Sequence, residues 1–280
     1  MKTILIPIDF SAHSYHSTHF GLELAQRIAA RVVLLHVIPP SLPAFGSLVA
    51  VNTRNIVLHD QMTNALHRYK NELGTYQRQY GLTGVPVSTC LVVGQPASAI
   101  LEEATTEDVA FIIMSTVGAA NDWDKLVGSV TSAVAQRANR PVWIIPNAVR
   151  LDSPRQVAYF ADLGGNEVSC INQVINLGER LRATLNVVHV SPLDNEEFAV
   201  TEALIELFED TYSSDRITFR HLTDGSVAEG IEAYVRSHWP DVIVLAHRNR
   251  GFVEAVFHLS LIRHLSLTTK RPLLVISKPG

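Results

Sequence analysis

The sequence is poor in cysteine, in charge and in long apolar runs. Two cysteines, Cys90 and Cys170, among 280 residues make neither a disulfide framework nor a zinc site by themselves. Both read as buried free thiols. Charged residues are 18% of the chain, against an ordinary fraction of about 25%. Apolar residues reach 47%, so the chain is not disordered and has a core to bury. The uninterrupted apolar runs are short, for example Val142 to Ile145 and Val242 to Ala246, far below the ~20 residues of a membrane span. The first apolar run meets Asp9 at once, too early for a secretory leader. A cytoplasmic protein with no membrane partner is expected. The net charge of −4 carries no basic excess, which argues against nucleic-acid binding.

What is present is a repeat. Ile4 to Phe10 resembles Val157 to Leu163, and Val32 to Pro39 resembles Leu185 to Pro192. Asp9 and Asp162 lie 153 residues apart, as do His36 and His189. Gly94 and Gly225, each ahead of a helical pattern, lie 131 apart, as do Pro141-Val-Trp-Ile-Ile and Pro272-Leu-Leu-Val-Ile. The offsets 153 and 131 differ by 22, so the second copy is shorter by that many residues between its second and third strands. One unit therefore occurs twice. The two domains are expected over residues 1–148 and 154–280, with an Asn, Asp, Ser and Pro-rich linker near 147–155.

Each copy alternates apolar strands with amphipathic helices. Strands are predicted near 3–8, 31–38, 86–92, 109–115 and 141–146, and near 155–161, 184–190, 216–222, 241–246 and 272–277. Helices in the first copy are predicted near 14–29, 59–80, 96–105 and 129–138. Val, Ile and Leu on both faces of the strands fit a parallel sheet covered by helices. The fold class is α/β: two tandem, doubly wound, parallel five-stranded sheets of Rossmann-like type. Ligands of such sheets sit beyond the carboxyl ends of the strands, which here collect Pro7-Ile8-Asp9, Val37-Ile38-Pro39 and Met114 to Gly118.

After the fourth strand comes Ser115-Thr-Val-Gly118, then nine residues, then Gly128-Ser129-Val130-Thr131 opening a helix. Gly118 permits close backbone approach. The free N–H groups of a helix start attract anions, and the Ser129 and Thr131 hydroxyls add donors. Ser129 as a helix cap and Gly118 as a turn residue is the structural alternative. No GxxxxGK[ST] is present, so this is not a P-loop.

Strand-Pro-x-Asp-Phe-Ser, then Leu-Leu-His-Val, then the G-x2-G-x9-G-[S/T] pattern and a Pro-Val-x-Ile-Ile strand together resemble the universal stress protein family, with its adenine nucleotide α hydrolase-like fold. The resemblance covers nearly the whole chain. It implies a pairing of domains through their last strands, and a stress-response role in signalling or stabilisation. Some members of the family bind ATP and others do not. By position, Asp9 with Pro7 and Ile8 corresponds to the adenine and ribose side of the family's site, and Val37 to its adenine-pocket wall. Met114, Ser115, Val117 and Gly118 correspond to the loop around ribose and phosphate. Gly128, Ser129, Val130 and Thr131 correspond to the phosphate-binding helix start. Two features depart from the pattern. Ser115 stands where the motif has its first glycine, and Asp122 and Asp124 are poor neighbours for a triphosphate unless they point away or meet Mg²⁺.

The implied ligand is ATP or a related adenine nucleotide in the first copy, with hydrolysis slow at most. A nucleotide-free scaffold in which the two copies form a pseudo-dimer and dock other proteins is the alternative. A dimer of whole chains is also expected. In the second copy Ala246, Asn249 and Leu259 replace Ser115, Gly118 and Gly128, while Ser260 is kept. This copy reads as degenerate and retained for pairing, although His247, Arg248, Arg250, His258 and Arg263 make it basic. The remaining histidines suggest no chemistry. His13, His16 and His19 form a loose stripe on the first helix, His36 and His189 read as satisfied strand histidines, and a metal on His247, His258 and His264 has little support. No Ser/His/Asp order, nucleophile elbow or carboxylate pair stands out. The segment Pro39 to His59 is long for a connection and is expected either as a lid or dimer contact, or as an extension of the following helix.

Overall fold

In a computed structural model of the chain, the first half folds as β1 (Thr3–Pro7), α1 (Ala12–Ile28), β2 (Arg31–Ile38), α2 (Leu48–Gln79), β3 (Val87–Val93), α3 (Pro96–Glu103), β4 (Val109–Ser115), α4 (Ser129–Arg137) and β5 (Val142–Ile145). The second half gives β6 (Gln156–Ala161), α5 (Glu167–Leu181), β7 (Thr184–Pro192), α6 (Phe198–Thr211), β8 (Ile217–Asp224), α7 (Val227–His238), β9 (Val242–Arg248) and β10 (Leu273–Lys278). The structure describes residues 1–40, 48–116, 129–146, 149, 151, 154–163, 167–192, 198–212, 214–248 and 271–278. Two compact units form, Met1–Val142 and Trp143–Gly280.

In the first unit β1 is central. It pairs in parallel with β2 on one side and β4 on the other, and β2 pairs in parallel with β3. The Ile112 N–H donates to the Pro141 carbonyl at 3.0 Å, which brings the entry of β5 beside β4. In the second unit β6 takes the central place, between β7 and β9, with β8 outside β7 and β10 outside β9, all parallel. The strands thus run third, second, first, fourth in both units, the doubly wound α/β order expected. Thr3 to Ile6 on β1 and Val157 to Ala161 on β6 are buried, because helices cover both faces of a central strand.

The duplication extends to backbone detail. Phe10 and Leu163, 153 apart, both follow a central strand with positive φ, 61° and 52°. Ala29 and Arg182, also 153 apart, both have positive φ just past a helix, at 52° and 58°. Ala29 caps α1 by donating its N–H to the Ala25 and Gln26 carbonyls. The strand registers refine the 22-residue difference. Val32 pairs with Val87 and its counterpart Leu185 with Ile217, an offset of 130 at the third strand. The second copy is therefore 23 residues shorter before that strand, and β8, with eight residues against seven in β3, restores one.

One expectation is corrected. The helix predicted from residue 59 begins at Leu48 and runs 32 residues, about 48 Å at ~1.5 Å per residue. No Pro or Gly interrupts residues 48 to 73, so nothing halts the helix on that side. Of the two readings of Pro39 to His59, the extension of the following helix holds from Leu48 onward. Residues 41–47 lie outside the described residues. Among the described residues no helix is long and apolar enough to cross a membrane.

Candidate functional site

The carboxyl ends of β1, β2 and β4 bring several of the expected residues to one edge. Asp9 lies just past β1 and is exposed. Its Oδ1 accepts from the Ser11 N–H at 3.0 Å and from the Ser11 hydroxyl at 2.5 Å. Ser11 in turn caps α1 by accepting from the Ser14 N–H at 3.3 Å. The carboxylate is therefore held against the helix start, and its second oxygen is not used in these bonds. Pro7 is half-buried and ends β1. Ile8 is buried and is fastened to β2 twice: its N–H donates to the Leu35 carbonyl at 2.8 Å, and its carbonyl lies 2.8 Å from His36 Nδ1. The His36 proton is thereby fixed on Nδ1, since the carbonyl only accepts. His36 is thus a satisfied histidine, as expected. Val37 is half-buried between β1 and β3 and pairs with Val92.

Met114 is buried and Ser115 half-buried at the end of β4. The Thr131 hydroxyl donates to the Ser115 carbonyl at 3.0 Å, and Thr131 is buried. This bond ties the first turn of α4 to the end of β4. Ser129, exposed, and Val130, half-buried, begin that helix, so its positive end stands at the same edge as Asp9. Val117, Gly118 and Gly128 lie outside the described residues, as do Asp122, Asp124 and Lys125.

Sequence reasoning overlooked the aromatic packing behind this edge. The Phe10 ring lies 4.6 Å from the His36 ring and meets Tyr69 edge-on at 6.0 Å. Tyr69 stacks on Tyr15 at 4.2 Å, and its hydroxyl is 2.9 Å from Thr18 Oγ1. Burial raises the Tyr69 phenol well above its ordinary pKa, with smaller upward pushes from Tyr15 and Asp9, against hydrogen bonds from Thr18 and Ser14 that lower it. Burial and the neighbouring Glu72 carboxylate push Tyr15 up to about 12. Neither phenol ionises near neutral pH, so this layer is a packed support. Farther along α1, His19 stacks on Tyr76 at 3.6 Å, while His16 is exposed and His13 half-buried.

The second unit repeats part of this edge. Asp162 is exposed past β6, and His189 Nδ1 lies 2.8 Å from the Ala161 carbonyl. Burial holds the His189 pKa below its usual value, with a smaller push in the same direction from His221. Ala246 is buried on β9, and Asn249, Leu259 and Ser260 lie outside the described residues. At the Ile38 position this unit has Ser191. Ser191 Oγ is 2.8 Å from His221 Nε2, and His221 Nδ1 is 2.6 Å from Glu202 Oε1. The order of these residues along the chain stands out as no catalytic pattern, yet the fold places a serine, a histidine and a carboxylate side by side. Their sequence spacing carries no motif. The β7–β8 register, which sets His189 beside His221 and Ser191 beside Thr223, and the packing of α6 on β8 assemble them.

Comparison with known proteins agrees with this architecture. The model of the universal stress protein family matches residues 1–146, slightly more than half of the chain. The chain belongs to the universal stress protein family. It is 30% identical over 152 residues to the universal stress protein MJ0577 of Methanocaldococcus jannaschii, in an alignment covering 51% of this chain and 94% of that protein. It is 28% identical over 148 residues to a second protein of that organism, MJ0531, covering 51% of this chain and 81% of the relative. The crystal structure of a universal stress protein from Archaeoglobus fulgidus superposes with a TM-score of 0.75 at 17% identity, covering 99% of this chain and 98% of that one. That likeness is one of fold.

Proposed function

We propose that the first unit of this universal stress protein binds an adenine nucleotide, ATP foremost, at the carboxyl edge of its sheet. Binding would serve stress signalling or stabilise the fold, in the cytoplasm, with hydrolysis slow at most. The observation that carries the reading is the Thr131–Ser115 bond, which sets the α4 helix start beside the edge that holds Asp9. The helix start offers N–H donors and a positive dipole end to phosphate. Asp9, fixed by Ser11, keeps an oxygen for ribose hydroxyls. Isothermal titration with ATP and Mg²⁺ tests it. Saturable heat is expected, weakened about tenfold by Asp9→Ala, as loss of one charge-assisted hydrogen bond implies. No heat with the folded wild-type chain overturns the reading.

A nucleotide-free scaffold is the second reading, favoured by Ile56 and Val57 on α2, which are 64% and 49% exposed. Mass spectrometry of small molecules released from the purified protein separates the two, because a co-purified nucleotide excludes a scaffold alone. In either case the second unit, with Asn249 and Leu259 in place of the glycines, serves in pairing. The reading includes a pseudo-dimer in which Pro141–Ile145 pairs with Pro272–Ile276, and an association of whole chains.

A further inference from the structure

We propose that the second unit carries a serine nucleophile, Ser191, activated by His221 and positioned through Glu202, that takes acyl groups from small carboxylic esters. The proposal is independent of nucleotide binding in the first unit. Its basis is the chain of bonds from Ser191 Oγ to His221 Nε2 at 2.8 Å and from His221 Nδ1 to Glu202 Oε1 at 2.6 Å. An ionised carboxylate only accepts, so His221 Nδ1 carries a hydrogen. In the neutral imidazole Nε2 is then bare and takes the hydrogen of the Ser191 hydroxyl. This is the tautomer and orientation that a serine–histidine–acid triad requires.

The placement supports chemistry as well as packing. Ser191 lies near the carboxyl end of β7, one residue before the exposed Pro192, at the edge where sheets of this class hold ligands. Ser191 and His189 share a strand face, as do His221 and its partner His189 across the β7–β8 pair. The His189 and His221 ring centroids are 5.5 Å apart. The His221 side chain is 5% exposed, and the Glu202 side chain 43% exposed. The low exposure of Ser191, 2%, limits the electrophile to a small group entering from the carboxyl edge. The first unit has Ile38 and Leu91 at the corresponding strand positions, so the device belongs to the second unit alone.

In the acylation step Ser191 Oγ forms a bond to the ester carbonyl carbon while its proton passes to His221 Nε2. The ester C–O bond then breaks, and the alcohol leaves with that proton. Water, deprotonated by His221, cleaves the acyl-serine, and the proton returns to Ser191 as the acid departs. Glu202 acts through His221, whose tautomer it holds, so it is a positioning residue.

The test is labelling of the full chain with an alkyl fluorophosphonate, read by intact mass and peptide mapping. The Ser191 oxygen bonds to phosphorus, fluoride leaves, and the serine proton reaches solvent through His221. One adduct, on Ser191, is expected. Ser191→Ala abolishes it, and His221→Gln slows it on the order of 10²–10⁴-fold, the range for loss of a general base. Glu202→Gln slows it and shifts the pH profile of labelling, while Glu202→Asp recovers much of the rate. That recovery is one that a purely structural role would not give. Among the described residues, the groups that face His221 in that profile include Ser191, His189 and Glu202. A folded wild-type chain that gains no adduct, or an adduct mapped elsewhere, overturns the proposal without any variant. Equal labelling of wild type and Ser191→Ala does the same.

Discussion

At the scale of single residues, the two copies solve one packing problem in opposite places. Gly21 on α1 lies so close to β1 that a Cβ there would stand 2.3 Å from Ile6 Cδ1. Its counterpart 153 residues later is Val174, which needs no such approach. In the second copy the close contact moves to α7, where a Cβ on Gly230 would lie 2.5 Å from Val190 Cγ1 and 3.1 Å from Asp224 Cβ. The first copy has Ala99 at that position. Val190 is β-branched and buried, so it has little rotamer freedom with which to yield. Gly230→Ala is therefore expected to destabilise the chain by about 1–3 kcal/mol, the usual cost of overpacking. Urea unfolding followed by circular dichroism measures it. A neutral result would mean that α7 can slide on β7. The gain in helix propensity from Gly to Ala, about 1 kcal/mol, works in the opposite direction and leaves the sign to the clash.

At the scale of elements, three strands of the first sheet are joined at their amino ends by one small network. The Thr3 hydroxyl donates to Asp108 Oδ2 at 2.8 Å, and Arg31 reaches the same oxygen at 2.6 Å and the Thr3 hydroxyl at 2.8 Å. This joins β1, β2 and the residue before β4. The Thr3 hydrogen bond is the largest influence on the Asp108 carboxyl, and with the Arg31 bond and charge it outweighs the opposing effect of burial and holds the group below the usual carboxylate range. A group with a depressed folded pKa adds stability above its unfolded value, near 4, and that stability fades as pH falls through the folded value. Asp108→Asn is thus expected to lower stability modestly at neutral pH and to flatten its decline below about pH 4. The pair is partly exposed to solvent, so the effect stays at the weak end for surface ion pairs. Denaturant midpoints of both proteins across the acid range decide it, and parallel curves would remove Asp108 as a contributor.

The elements were largely legible because Val, Ile and Leu runs bounded by Pro and Gly leave few alternatives. That Asp9, Ile8, Ser115 and Thr131 share one edge was legible, since a parallel sheet brings those strand ends together whatever the side chains do. The start of α2 was not legible, because Leu48 to Val57 is rich in β-branched residues that fit a loop or strand as well as a helix. Nor was Ser191 with His221 and Glu202. Three residues on β7, β8 and α6 come together through a register and a helix rotation, and neither leaves a periodic signal.

At the scale of the whole molecule, the low charged fraction has a physical source in the two central strands, which are buried on both faces and leave little room for charge. The same composition bears on the proposed pairing of the two last strands. Val142 to Ile145 and Leu273 to Ile276 are buried and wholly apolar, and a bare strand edge of this kind is an aggregation hazard that proteins avoid. If these segments pair within one chain, every second amide on the outward edge of each is hydrogen-bonded. Hydrogen exchange of the intact protein should then show those amides protected as strongly as those of Ile4 and Ile6, which lie at the centre of the first sheet. The protection should not change with protein concentration, because the partners belong to one chain. Protection that grows with concentration would assign the edges to an association between chains, and fast exchange at every concentration would leave the edges unpaired and the pseudo-dimer wrong.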